Sequence, residues 1–149
     1  MVAALATACT THQSDYGFAT PSPDLPPEKV VEIQLRALQG NDEHDHGIAQ
    51  IYLFASPSNL AITGPFTRFA SMIHDSYGHL LSHRRAVQLE PMTFEGQSTV
   101  FVEVTGKLGK VVTYVWILDR QQSGPYAGCW LTSAVHVATA PDAIETFEL

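Results

Sequence analysis

Positive charge is scarce in this chain: eight lysines and arginines stand against fifteen aspartates and glutamates, a formal net charge of −7 over 149 residues. Binding to a phosphate backbone needs clustered Lys and Arg to displace counterions, and only Arg84 and Arg85 form such a pair, so nucleic acid is not an expected partner. Cysteine is nearly absent as well. Cys9 lies in a small-residue leader and Cys129 in an apolar run, which makes no disulfide framework. Without a base beside it in sequence, Cys129 reads as a small buried apolar residue rather than a nucleophile. No apolar run approaches the roughly 20 residues that span a bilayer. Neither Gly-x-Gly-x-x-Gly nor Gly-Lys-Ser occurs, which removes support for nucleotide binding.

What is present fits one ordinary domain with one core. Residues 1–26 read as a flexible tail. Met1 to Cys9 is loosely like the end of a lipoprotein signal but lacks a basic start and a long apolar centre. A cytoplasmic tail is therefore the first reading, and the remnant leader of an exported lipoprotein with a mis-assigned start is the second. Residues 10–26 are polar and proline-rich, too poor in apolar surface to hold themselves in place.

Order is expected from Pro27, because a proline in the first helical turn sacrifices no hydrogen bond. Through Gln39, residues Val30, Val31, Ile33, Leu35, Ala37 and Leu38 cover one arc at 100° per residue, with Glu32, Arg36 and Gln39 opposite. Gln34 projects inside the apolar arc. A buried amide must find partners, so Gln34 either braces a backbone or faces a wet cavity. Gly40-Asn41 ends the helix. After a polar connector, Ile48 to Ala55 reads as a short buried helix broken by Ser56-Pro57-Ser58-Asn59. Thr63-Gly64-Pro65 opens a third helix, in which Phe66, Phe69, Ala70 and Ile73 share a face. Residues 79–83 read as a loop or short helical turn.

Strands are expected over 85–94, 99–105, 111–118 and 126–137, separated by glycine-rich turns. Short connections make an antiparallel meander, and helices followed by such a sheet make an α+β domain. The stretch Val111 to Val137 holds both tryptophans and organises the rest. In Val111 to Leu118 both parities are apolar, whereas a sheet with one wet face alternates with polar residues. Three helices cover one side only, so a homodimer through the other side is expected.

Five blocks occur in order: Glu32 to Leu38 with Asn41-Asp42, Phe54 to Asn59, Thr63 to Phe69, Leu80 to Arg84, and Gly124 to Thr132. Together they resemble the signatures of an uncharacterised domain-of-unknown-function family of bacteria and plants, associated with the nuclear transport factor two-like superfamily. The resemblance spans residues 27–137 and implies a cone: three N-terminal helices packed in the concave face of a bent antiparallel four-stranded sheet, often dimeric through its outer face. It places one domain at 27–138 and leaves 139–149 as a tail. Where the family's closing pattern has methionine, threonine, aspartate and glycine, this chain has Leu131, Thr132, Ser133 and Ala134. The superfamily includes isomerases, dehydratases, cyclases and non-catalytic modules, so fold alone selects no function.

The residues favour a non-catalytic domain that binds a small, mostly apolar ligand or supports an interaction. Its expected pocket has Tyr52, Phe66, Phe69, Trp116 and Trp130 as apolar lining, with Gln34, His83 and Tyr114 as polar contacts. The alternative is a cavity acid–base enzyme, an isomerase, dehydratase or hydrolase, with His83 as base and Tyr114, Tyr126 or Gln34 as oxyanion donors. Glu103 alternates with Val102 and Val104 and points outward. His44-x-His46 beside Asp42 and Asp45, or His79-x-x-x-His83, has spacing suited to a metal, but no third ligand is evident, and neither metal nor cofactor is expected.

Overall fold

The first helix begins where the Pro-Pro step allows it. In the computed structural model, which describes residues 17–139, Pro26 is extended, Pro27 sits in the first turn, and α1 (Pro27–Gln39) follows. Its buried face is Pro27, Val30, Val31, Gln34, Leu35 and Leu38. The opposite face carries a Lys29–Glu32–Arg36 chain at 3.1 and 3.0 Å. These pairs are exposed, so they add solubility and little stability.

The polar connector is more organised than its composition suggests. Asn41 accepts from the backbone N–H of Ile48 at 3.0 Å through Oδ1 and donates to Asp45 at 2.9 Å. Asp42 accepts from the backbone of His44 and His46 and pairs with the His46 ring at 2.7 Å. The His46 contacts, ring first, hold the Asp42 carboxyl at about 2. These side chains substitute for the missing hydrogen bonds at the start of α2 (His46–Tyr52). Helix α2 packs closely against α1 because Gly47 lacks a side chain: a Cβ there would stand 2.1 Å from the carbonyl oxygen of Ala37.

Ser56-Pro57 stops one helix and at once starts another, giving four α-helices among the described residues where three were expected. Ser56 accepts from the N–H of Asn59 at 3.2 Å, Pro57 takes the first helical position, and α3 runs Pro57–Thr63. The same residues that break a helix also cap one. Helix α3 buries none of its residues. After Gly64 comes α4 (Phe66–Ser76), which buries Phe69, Ala70 and Ile73, and then a single 3₁₀ turn, Gly78–Leu80.

All strands then follow in one antiparallel sheet: β1 (Arg85–Gln88), β2 (Met92–Phe94), β3 (Gln97–Thr105), β4 (Val111–Arg120) and β5 (Trp130–Val137), in the order β1-β3-β4-β5, with β2 also on β3. The α+β class with helices ahead of an antiparallel sheet is as expected, but the strands among the described residues number five rather than four. The strand expected over 85–94 is split: β1 pairs with residues 102–105 of β3 and β2 with residues 97–99, on the same edge. Pro91 lies in the gap and has no N–H to give the ladder, which confines it to such an edge break. The last strand begins at Trp130 rather than Tyr126, because residues 121–129 close on themselves. Gly128 donates to Gln121 at 2.8 Å, Gln121 donates to Cys129 at 2.9 Å, and Gly124 and Gly128 take positive φ.

One sheet face carries Val100, Val102, Val104, Tyr114, Trp116 and Leu118, all buried in the core formed with the helices. Along β5 the alternation slips. Leu118 is opposite Thr132 while Ile117 is opposite Ala134, so Ser133 is an extra residue in a bulge. Its hydroxyl donates to Asp119 on the neighbouring strand.

The Gly47 contact is testable. Gly47→Ala is expected to lower stability by about 3 kcal/mol, the upper range for forcing a group into a packed interior; a urea midpoint unchanged from the parent would show that the two helices can separate at no cost.

Candidate functional site

The helices do not fill the space over the sheet. A cavity of about 280 Å³ lies among Gln34 and Leu38 of α1, Ile51 of α2, Ala55, three residues of α3, three of α4, Tyr77, Leu80, Trp116 of β4 and residues 132–135 of β5. Its α3 contribution is Asn59, Ile62 and Thr63; Ile62 is 77% exposed and marks the rim. Phe69, Met72 and Ile73 supply the α4 side. Among the described residues, no aspartate, glutamate, histidine, lysine, arginine or cysteine lines it.

The polar atoms of the wall form a directed chain. Trp116 donates through its indole Nε1 to Oε1 of Gln34 at 3.3 Å, and Gln34 donates through Nε2 to the hydroxyl of Thr132 at 2.8 Å. An indole N–H only donates, so it sets which end of the amide faces which partner. The odd polar residue of α1 thus ties the first helix to β4 and β5 through side chains, rather than bracing a backbone. Thr132 is held on both sides as well: its N–H donates to Phe54 at 2.7 Å, and its carbonyl accepts from Ser56 N–H at 2.8 Å and from Asn59 Nδ2 at 3.1 Å. Tyr77 closes another wall by donating to the carbonyl of Val135 at 2.7 Å. Burial pushes the phenols of Tyr77 and Tyr114 above their ordinary range, with Tyr77 adding to the shift at Tyr114, so both stay protonated at neutral pH.

Of the eight binding residues named from sequence, Gln34, Phe69 and Trp116 meet at this cavity. Tyr52 and Phe66 do not line it and pack against the core instead, with Tyr52 edge-on to Phe66 and to Phe69 at ring separations of 5.3 and 5.1 Å. Tyr114 is buried between a stacked His79 and Trp116, and Trp130 is a core residue. His83 is buried elsewhere: its Nδ1 is 2.7 Å from the carbonyl oxygen of Leu80, and it borders a separate groove with Leu35, Gln39 and Gln88. Tyr126 is exposed in the β4–β5 turn and does not line the cavity.

The histidine–acid cluster is engaged internally, His46 on Asp42 and His74 on Asp45 at 2.9 Å. Among the described residues, no three His, Cys, Asp or Glu side chains converge as metal ligands. Cys129 is buried, which pushes its thiol up and leaves it unreactive at neutral pH. The leader readings that involve Cys9, and the tail beyond residue 139, lie outside the described residues.

Sequence reasoning missed Asn59, Thr63, Tyr77 and Thr132. Asn59 and Thr63 had a signal, since Ser56-Pro57 is a helix start as well as a stop. Thr132 had none, because the bulge that decides which face β5 presents depends on its neighbour strand.

A family described as a domain of unknown function (DUF4864) matches residues 23–144, a span that contains every wall of the cavity. The chain belongs to this family. No curated protein and no solved structure matches it.

In this DUF4864 domain, Gln34→Leu removes the acceptor of a buried indole N–H and the donor to Thr132. The expected loss is about 2 kcal/mol, the cost of stranding a buried polar group, read as a lower urea midpoint at constant slope. An unchanged midpoint would mean that the amide does not hold α1 to the sheet.

Proposed function

We propose that this domain binds a small, uncharged and mostly apolar molecule in the cavity between its helices and its sheet, without transforming it. The observation that carries the reading is a hollow of about 280 Å³ with mostly apolar walls and, among the described residues, no carboxylate, imidazole, amine, guanidinium or thiol. Size follows by comparison: an apolar cavity of about 150 Å³ accommodates benzene, so this one suits a molecule of about two rings. Charge is disfavoured inside because an ion there would lose its hydration without gaining a counter-ion. The order of elements and the hollow beneath the helices also support kinship with the nuclear transport factor two-like superfamily. The acid–base alternative rested on His83, and its place outside the cavity wall leads us to prefer binding.

We further propose that the domain is a homodimer through the outer sheet face. That face gathers Val87, Leu89, Met92 and Phe94 from the split edge with Phe101, Val115 and Ile117; Met92 and Phe94 are 57% and 74% exposed. Large apolar side chains exposed together on one face commonly mark an association site.

Thermal-shift screening with neutral one- and two-ring compounds is expected to find stabilising ligands, since saturation at 100-fold over Kd adds about 2.7 kcal/mol. Ala55→Leu, which fills part of the hollow, is expected to abolish the shift while leaving the free domain folded. A panel without any shift would count against binding. Light scattering at micromolar concentration is expected to give a dimer mass that Phe94→Glu halves; a monomeric parent would remove the dimer.

A further inference from the structure

We propose that the cavity ligand carries a neutral carbonyl group and that the hydroxyl of Thr132 is the donor that selects it; this rests on the cavity being a ligand site. The argument is one of hydrogen-bond direction. Trp116 Nε1 has a hydrogen and no accessible lone pair, so Gln34 must present its oxygen to it and its nitrogen to Thr132. Thr132 Oγ1 is therefore an acceptor in that bond, and its own hydrogen is left over. Among the described residues it meets no acceptor, although the side chain is buried at 4% exposure on the cavity wall.

Asn59, on the same wall, points the same way. One Nδ2 hydrogen is used on the carbonyl of Thr132 and the other has no acceptor among the described residues. Two unused donors thus lie where α3 meets β5, that of Thr132 buried and that of Asn59 half-buried. Donation along the chain from indole to amide to hydroxyl polarises each bond in the same sense, which makes the terminal hydroxyl a better donor. Unused buried donors are tolerated less well than unused acceptors. A ligand oxygen that only accepts answers this arrangement. A carboxylate would also accept, but among the described residues no cation lines the cavity to offset its charge. Among neutral oxygens that only accept, the carbonyl of a ketone, ester or amide is a stronger acceptor than an ether and has two lone pairs for the two donors, and it is attached to an apolar body.

The matched pair 1-tetralone and tetralin tests this, since both are two-ring molecules and differ by one carbonyl oxygen. A cavity without a donor prefers tetralin, the more apolar of the two. We expect the reverse in calorimetric titrations of the intact chain, with tetralone about tenfold tighter, as one well-made hydrogen bond provides. Thr132→Val is expected to erase that ratio and Thr132→Ser to keep it. In case the valine variant does not fold, the infrared C=O stretch of tetralone bound to the parent protein gives an independent reading. It is expected at lower frequency than in a hydrocarbon solvent. Tetralin binding as well as or better than tetralone, an unshifted stretch, or a ratio unchanged by Thr132→Val would overturn the carbonyl assignment and leave the cavity reading intact. Binding of neither compound, together with a thermal-shift panel without hits, would overturn both.

Discussion

A glutamine side chain in the middle of an apolar helix face is the constraint on which the architecture turns. Gln34 is 3% exposed, and a buried amide left unpaired costs more than most single packing contacts contribute. It needs a donor on one side and an acceptor on the other, and the indole N–H of Trp116 and the hydroxyl of Thr132 supply them from two different strands. Apolar contacts between α1 and the sheet are tolerant of sliding, but these two hydrogen bonds are not. They select one rotation and one height of the helix over the strands, and with it the side of α1 that borders the hollow.

The hollow follows from what the remaining helices can reach. Helix α2 is drawn tightly onto α1 at Gly47, where the backbone of one helix approaches the carbonyl of the other. Helix α4 packs through Phe69, Ala70 and Ile73, while α3 buries nothing and stands at the rim, tethered to Thr132 through Ser56 and Asn59. Four short helices held in this way leave a gap above Trp116 that none of the described side chains fills. The bulge at Ser133 adds to it, since it re-aims β5 so that Thr132 and Val135 both face inward from positions of opposite parity. Among the described residues this wall has no carboxylate, imidazole, amine, guanidinium or thiol, and its one titratable group, the phenol of Tyr77, donates to the carbonyl of Val135.

Much of this was legible in the residues. The limits of α1 coincide with its apolar arc because the Pro-Pro entry and the Gly40 exit are local chemistry. The two apolar faces of β4 are evident in its alternation, and the antiparallel order in its short turns. The aromatic residues were only partly legible: Phe69 and Trp116 reach the cavity, whereas Tyr52, Phe66, Tyr114 and Trp130 serve the packing around it. Apolar rings have equal reason to fill a core or to line a hole, and composition does not distinguish the two. His83 was a reasonable candidate base by residue type, yet a nearby backbone carbonyl takes its Nδ1 and its ring lies off the cavity.

The sequence by itself determined the class, the run of helices before strands, the start and end of α1 and the need to satisfy Gln34, because each depends on neighbours within a few residues along the chain. Tertiary structure alone decided the partners of that amide, the split of the edge strand, the slip at Ser133 and the position of the hollow. Those depend on groups 82 and 98 residues apart in sequence, and only the folded packing of helix on sheet brings such groups within hydrogen-bonding distance.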